Sequence, residues 1–306
     1  MKQFLHLSTR IYDQERFNYW RKMVFFIRTV AHHKQMIKLI AFFEKHPLRR
    51  EIATAQPCIF EQATRQWFYR QSNFSERTQI IKQHYQLLND RFTEDAVRRI
   101  YLDGGLLLWS QEYQNEKLSL SLKFSRGSHE KEGLMALLLK LGEKRIYQLI
   151  FWLTPGPKNE PALWIGALQG SPQGLDISRN LTKHFYGCRT KNFIFQALHT
   201  VVRQTGITKM YAVSNYGFYA NNHVRLDRKL KTSLDDFWLE VGGTLCTDKR
   251  FFSLPLLQER KSLEEIDSRK RSQYRKRFAL LDNVDLTIQH ALQPYLVKEK
   301  CFQAGI

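Results

Sequence analysis

In the stretch from Pro161 to Asn215, Ala162-Leu163-Trp164-Ile165-Gly166-Ala167-Leu168 is an apolar run of strand length, and Met210-Tyr211-Ala212-Val213 is a second one downstream. Between them, Gly170 and Gly174 punctuate a loop, a short helix follows, and Gly187 precedes a longer helix from Phe193 to Gln204. That helix carries Phe193, Ile194, Ala197, Leu198, Val201 and Val202 on one arc, with Gln196, His199 and Arg203 opposite, so it has one face to bury. Strand, helix and strand in this order predict a βαβ crossover, which sets a helix N-terminus beside strand ends where anions bind. The residues that open it are Gly187-Cys188-Arg189-Thr190-Lys191.

Working outward, Ser233 or Asp235 can start a helix through Phe237-Trp238-Leu239-Glu240 to Gly242-Gly243, and Phe251 to Leu254 reads as a last strand. Upstream, Leu118, Leu120, Leu122 and Phe124 alternate with polar residues, the mark of a strand with one buried face. Leu134 to Lys140 and Ile146 to Leu153 form a hairpin across Leu141-Gly142-Glu143-Lys144. The first hundred residues read as helices, with Ser75 and Thr93 as expected N-caps. In the earliest of them Phe17, Trp20, Val24, Ile27 and Ala31 recur at helical spacing among Arg21, Lys22, Arg28, Lys34 and Lys38. This fits either a core-packing hairpin or a membrane-surface helix. The expected architecture is α+β: a helical N-terminal layer over residues 1–105, then a mixed, mostly antiparallel sheet with crossover helices over 106–258. A basic helix over 259–306 packs on that core. The order of elements is similar to the acyl-coenzyme A N-acyltransferase fold, a likeness of topology that carries no function by itself.

A net charge of +19 on 306 residues attracts polyanions, whether nucleic acid, anionic lipid or an acidic carrier protein. Cys58, Cys188, Cys246 and Cys301 are isolated in the chain, with no zinc-site spacing, so neither a disulfide framework nor a metal is expected. No apolar run has the length of a signal peptide or a membrane span. The resulting expectation is a cytoplasmic protein, with peripheral attachment at the inner membrane left open.

The segment Gly187 to Asn192 is the first candidate binding site, with Gly187, Arg189 and Lys191 placed to hold a phosphate; the competing reading is a plain helix entry with solvated cations. Ser214 and Asn215 end a strand where an open sheet offers a ligand crevice, although Ser-Asn before Tyr216-Gly217 is also good turn chemistry. His223 and Asp227 form an H-x-x-x-D pattern suited to a base and its orienter, but so short a pattern also arises by chance, and Glu240 is a further carboxylate to weigh against a solvated helix end. The chain holds no serine elbow and no nucleotide-binding glycine loop. Nucleic-acid binding is disfavoured, because Tyr274 and Phe278 in the basic segment Arg269 to Arg277 recur at core spacing.

Several segments resemble the VirK/YbjX family of bacterial proteins. They are Leu168-Gln169-Gly170, Leu181-Thr182-Lys183, Gly187-Cys188-Arg189-Thr190-Lys191-Asn192, Ala212-Val213-Ser214-Asn215 and Asp236-Phe237-Trp238 with Gly242-Gly243. Phe252-Ser253-Leu254-Pro255 and Ser268-Arg269-Lys270-Arg271-Ser272-Gln273-Tyr274-Arg275 complete the set, so the resemblance spans most of the chain from residue 75 onward. It implies a Gram-negative protein tied to virulence, envelope integrity and tolerance of antimicrobial peptides, and it supplies no catalytic residue. Two functions stay open on the sequence. One is an acyltransferase using acyl-coenzyme A or the phosphopantetheine of an acidic acyl carrier protein; the other is a non-enzymatic basic module that docks on anionic lipid or an acidic partner.

Overall fold

The computed structural model describes residues 2–12, 19–124, 130–171, 174–221, 233–257 and 260–297. The crossover is present: β5 (Pro161–Gly170) and β6 (Lys209–Val213) are parallel neighbours, joined through α8 (Leu175–His184) and α9 (Thr190–Gln204). Their pairing runs from Ala162 with Lys209 to Ile165 with Ala212 and stops there, while β5 continues to Gly170. The last half of β5 therefore has β4 on one side and no strand on the other.

The remaining strands are β1 (Leu106–Tyr113), β2 (Glu116–Lys123), β3 (Met135–Leu141), β4 (Lys144–Pro155), β7 (Thr244–Leu245) and β8 (Phe251–Leu254). They make one eight-stranded sheet in the order β1-β2-β3-β4-β5-β6-β8-β7, antiparallel throughout except for β5 with β6. The fold is α+β, as expected. Strand β1 escapes the sequence pattern because a register shift between Leu107 and Trp109 breaks its alternation. Gln114 and Asn115, both at positive φ, close the tight turn into β2.

Directly paired residues share a face of the sheet, so the register sorts the side chains. Leu120, Leu139, Leu149, Phe151, Ile165 and Ala212 fall on one side, where Trp109 also meets Phe193 of α9 with ring centroids 5.5 Å apart. On the other side Trp152, Trp164 and Tyr211 stack as a ladder, 6.3 and 4.3 Å between successive rings. Phe68 and Tyr69 from the N-terminal layer close over Trp152.

That layer consists of α1 (Lys2–Tyr12), α2 (Tyr19–Ala31), α3 (His33–Glu44), α4 (Pro47–Ala55), α5 (Cys58–Thr64), α6 (Phe74–Arg91) and α7 (Glu94–Tyr101). Thr93 caps α7 as expected, accepting from the Ala96 N–H. The cap of α6 is Asn73 and not Ser75: Asn73 and Glu76 form a reciprocal capping box, which satisfies two helix-end donors where Ser75 would satisfy one. The expected apolar line of α2 also needs correction, since Trp20 and Ile27 are exposed while Phe25 and Thr29 turn inward. At the junction of layer and sheet, buried His84 accepts the Leu153 N–H at Nδ1 (3.0 Å), which leaves Nε2 protonated toward the Tyr101 hydroxyl (2.6 Å). Tyr101 in turn donates to the Leu134 carbonyl at 2.8 Å. Burial without a charged partner drives the His84 pKa down to about 3, so the imidazole is neutral.

After β6, Ser233 caps α10 (Leu234–Glu240), and α11 (Arg271–Leu292) lies against α9 and β1. Its buried residues are Leu281, Val284, Ile288 and Leu292. Tyr274 and Phe278 are only half-buried, set edge to face at 5.8 Å near the start of the helix, so they are not the core contacts their spacing implied.

Candidate functional site

Residues 130–134 cross as a strap over the face of β4 and β5 that carries Gln148, Trp152 and Gln169. Three bonds fasten the strap from the helical layer: Gln62 Nε2 donates to the Glu130 and Gly133 carbonyls (2.8 and 3.0 Å), and the Phe68 N–H to that of Lys131 (2.8 Å). Gly166, at the register shift between β5 and β4, lets the strap lie close, because a Cβ there would sit 1.8 Å from the Glu132 carbonyl oxygen. The strap turns the Glu132 side chain toward Gln169.

A directed chain of hydrogen bonds leads to that carboxylate. Arg145 donates to Gln148 Oε1 (3.3 Å), Gln148 Nε2 to Gln169 Oε1 (2.9 Å), and Gln169 Nε2 to Glu132 Oε1 (3.4 Å). With Tyr219, Glu130 and Lys131 these residues line a polar cavity of about 200 Å³. Burial raises the Glu132 pKa to about 7, against the smaller lowering effects of Lys131 and of hydrogen bonds from Gln169 and Tyr219. A carboxyl that exchanges its proton near neutrality, on the wall of a cavity, is the chemistry of a general base. Nothing in the sequence marks Glu132. It belongs to no motif, and its neighbours come from three separate parts of the chain.

The predicted loop Gly187 to Asn192 bounds a second concavity, a groove of about 410 Å³ between the start of α9 and the start of α11. Beside Gly187, the side chains of Arg189, Arg260, Lys261 and Arg277 give it a basic rim, and Tyr274, Phe278 and Leu281 an apolar wall. Gly187 is at φ +80°, and a Cβ on it would press Arg277 at 2.7 Å. Arg277 closes the groove by donating Nε and Nη2 to the Tyr186 carbonyl at 3.0 and 2.8 Å. Cys188, at the same loop, stays a thiol because burial pushes it up to about 11. The Arg189 charge also reaches Tyr147, next to Gln148 in β4, and opposes the rise that burial gives its phenol.

Other sequence-predicted residues have structural partners. Arg189, Lys191 (3.2 Å) and Asn192 (3.0 Å) all donate to Glu240, which ties the start of α9 to the end of α10. Burial raises the Glu240 pKa, but those donors outweigh it and hold the carboxyl below its usual range. Glu240 stays exposed at the end of α10 while it takes these three donors. Lys191 lies over the Phe237 ring at 4.5 Å and is not on the groove wall. Buried Ser214 donates to the Lys249 carbonyl (2.7 Å) and accepts from the Gly217 N–H (2.9 Å). Asn215 Oδ1 accepts from Leu234 N–H (2.8 Å), and its amide donates to Ser233 (2.9 Å), so both residues fasten a turn to α10. His223 and Asp227, with the basic segment around them, lie outside the described residues.

Among the described residues no three His, Cys, Asp or Glu side chains cluster to hold a metal, and no helix is long and apolar enough to cross a membrane. The chain is similar to the uncharacterized protein YbjX of Escherichia coli K12, with 24% identity over 265 residues, 85% of this chain and 80% of that protein. Two uncharacterized proteins of Haemophilus influenzae are also similar. One is 27% identical over 70% of this chain and 71% of its own; the other is 30% identical over 51% and 52%. The resemblance to YbjX thus extends over most of both chains, and a family model described as protein of unknown function (DUF535) matches residues 14–290, so the chain belongs to the DUF535 family.

Proposed function

We propose that the protein is an acyltransferase that uses an acyl thioester of coenzyme A or of an acidic acyl carrier protein. The observation that carries this reading is Glu132, a carboxyl with a pKa of about 7 on the wall of a polar cavity over β4 and the end of β5. The N-acyltransferase-like order of elements supports it. In this reading the basic rim of the groove under α11 takes the donor's phosphates, and its apolar wall takes uncharged parts of the donor. The thioester arm crosses to the opposite face of the sheet, where Glu132 lies, beside β5 beyond Ile165, where β6 no longer pairs with it. Glu132 removes a proton from an acceptor amine or hydroxyl, the acceptor bonds to the acyl carbon, and the carbon–sulfur bond breaks. The thiolate then leaves as the free thiol by taking a proton from solvent. The acceptor is an envelope component, following the VirK/YbjX resemblance, and the reaction takes place in the cytoplasm.

The test is the thermal midpoint of the protein with coenzyme A, an acyl-coenzyme A and acyl carrier protein, together with thiol release in the presence of an amine. A saturable rise with one donor, lost in Arg189→Ala/Lys261→Ala, is expected, because a ligand bound only by the folded state stabilises it by mass action. Glu132→Gln should keep that rise and lose thiol release. Below pH 7 the wild-type rate should fall about tenfold per unit as the carboxylate takes up its proton. No midpoint shift with any donor would overturn the proposal.

A further inference from the structure

Helix α2 is apolar on two opposite sides. Phe25 and Thr29 face the core, where Tyr12 meets Phe25 edge to face at 6.2 Å. Away from them Tyr19 (77% exposed), Trp20 (72%), Met23 (38%), Ile27 (59%) and Val30 (37%) form a stripe at spacings of three and four, with Ile37 of α3 (50%) further along. A monomeric protein in water gains nothing from such a stripe. From Tyr19 to Phe43 the sequence has five lysines and arginines and no acidic residue, and Lys34 and Lys38 on α3 are exposed.

We infer that this outward face of α2 and the start of α3 is a docking surface for an anionic phospholipid bilayer. Charge and shape both select that occupant. A second copy would bring two acid-free basic faces together, which repels. The stripe lies on a ridge of the helix, so it can enter a lipid surface to a shallow depth without needing a complementary groove. Aromatic rings at one end suit the headgroup level, and Lys34 and Lys38 can keep their stems along the apolar surface while their ammonium groups reach phosphates. The inference is independent of the acyl-transfer reading, because no residue of the stripe belongs to either concavity.

The experiment uses the full chain with vesicles of phosphatidylglycerol mixed with phosphatidylcholine, and with phosphatidylcholine alone. Trp20 is its own reporter, since Trp67, Trp109, Trp152 and Trp238 are buried and Trp164 is stacked between Trp152 and Tyr211. Expected are sedimentation with the anionic vesicles at low salt, a blue shift of emission that Trp20→Phe abolishes, and weaker binding as salt rises. Met23→Asp/Ile27→Asp should lower vesicle affinity about tenfold or more with circular dichroism unchanged, and Lys34→Glu/Lys38→Glu should flatten the salt dependence. Failure to bind anionic vesicles, equal binding to phosphatidylcholine alone, or wild-type binding by the double-Asp variant would overturn the inference. So would a concentration-dependent dimer that the double-Asp variant dissolves.

Discussion

Glu132 and His84 are buried titratable groups with opposite demands. Glu132 has a folded pKa of about 7 against an ordinary 4.5, so the stability present below pH 4.5 is lost as pH rises through 7. About 2.5 pH units correspond to roughly 3 kcal/mol. Glu132→Gln, which still accepts from Gln169, is therefore expected to unfold at a higher temperature than wild type at pH 8 and at nearly the same one at pH 4. His84, held at about 3 against 6.5, contributes stability above pH 6.5 that is lost as pH falls toward 3. Tyr101→Phe strands the His84 N–H in the core and is expected to cost about 1–3 kcal/mol in urea unfolding. Of the site, Gly187 and Arg189 were legible because a glycine before a basic helix start is a local signal. Glu132 was not, since its pKa is raised by burial in a cavity walled by Gln148, Gln169 and Tyr219, all distant from it in sequence.

At the level of elements, helix ends were the most readable feature, and they fail instructively at α6. Asn73→Ala should cost about 1 kcal/mol while Ser75→Ala stays within about 0.5, a difference that urea midpoints resolve. The strap and the β5 bulge make a sharper case. Gly166→Ala would place a methyl on the Glu132 backbone, which cannot move like a side-chain tip, so a loss of about 1–3 kcal/mol or more is expected. Gly104, at φ +89° with open space around it, is the control: alanine there should cost only about 1–2 kcal/mol, from backbone strain. The crossover was legible because its strands are continuous apolar runs. Strand β1 was hidden by its bulge, and α2 showed its wrong side because both sides are apolar, so periodicity alone could not say which one faces the core.

Across the whole molecule, one hydrophobic cluster runs from Phe4 through the sheet to Leu292 and includes residues of every region the sequence divides. A single calorimetric transition is therefore expected, with the van't Hoff enthalpy equal to the measured one; two resolved peaks would separate the helical layer from the sheet. The groove depends on the same long-range closure. Tyr186 and Arg277, whose contact completes it, are 91 residues apart in the chain. A ribosome adds roughly 5–20 residues per second, so the loop emerges on the order of 5–20 s before the helix that finishes its wall. During synthesis this part of the protein exists first as an open ledge, and a chain cut short before residue 260 carries the loop without the site.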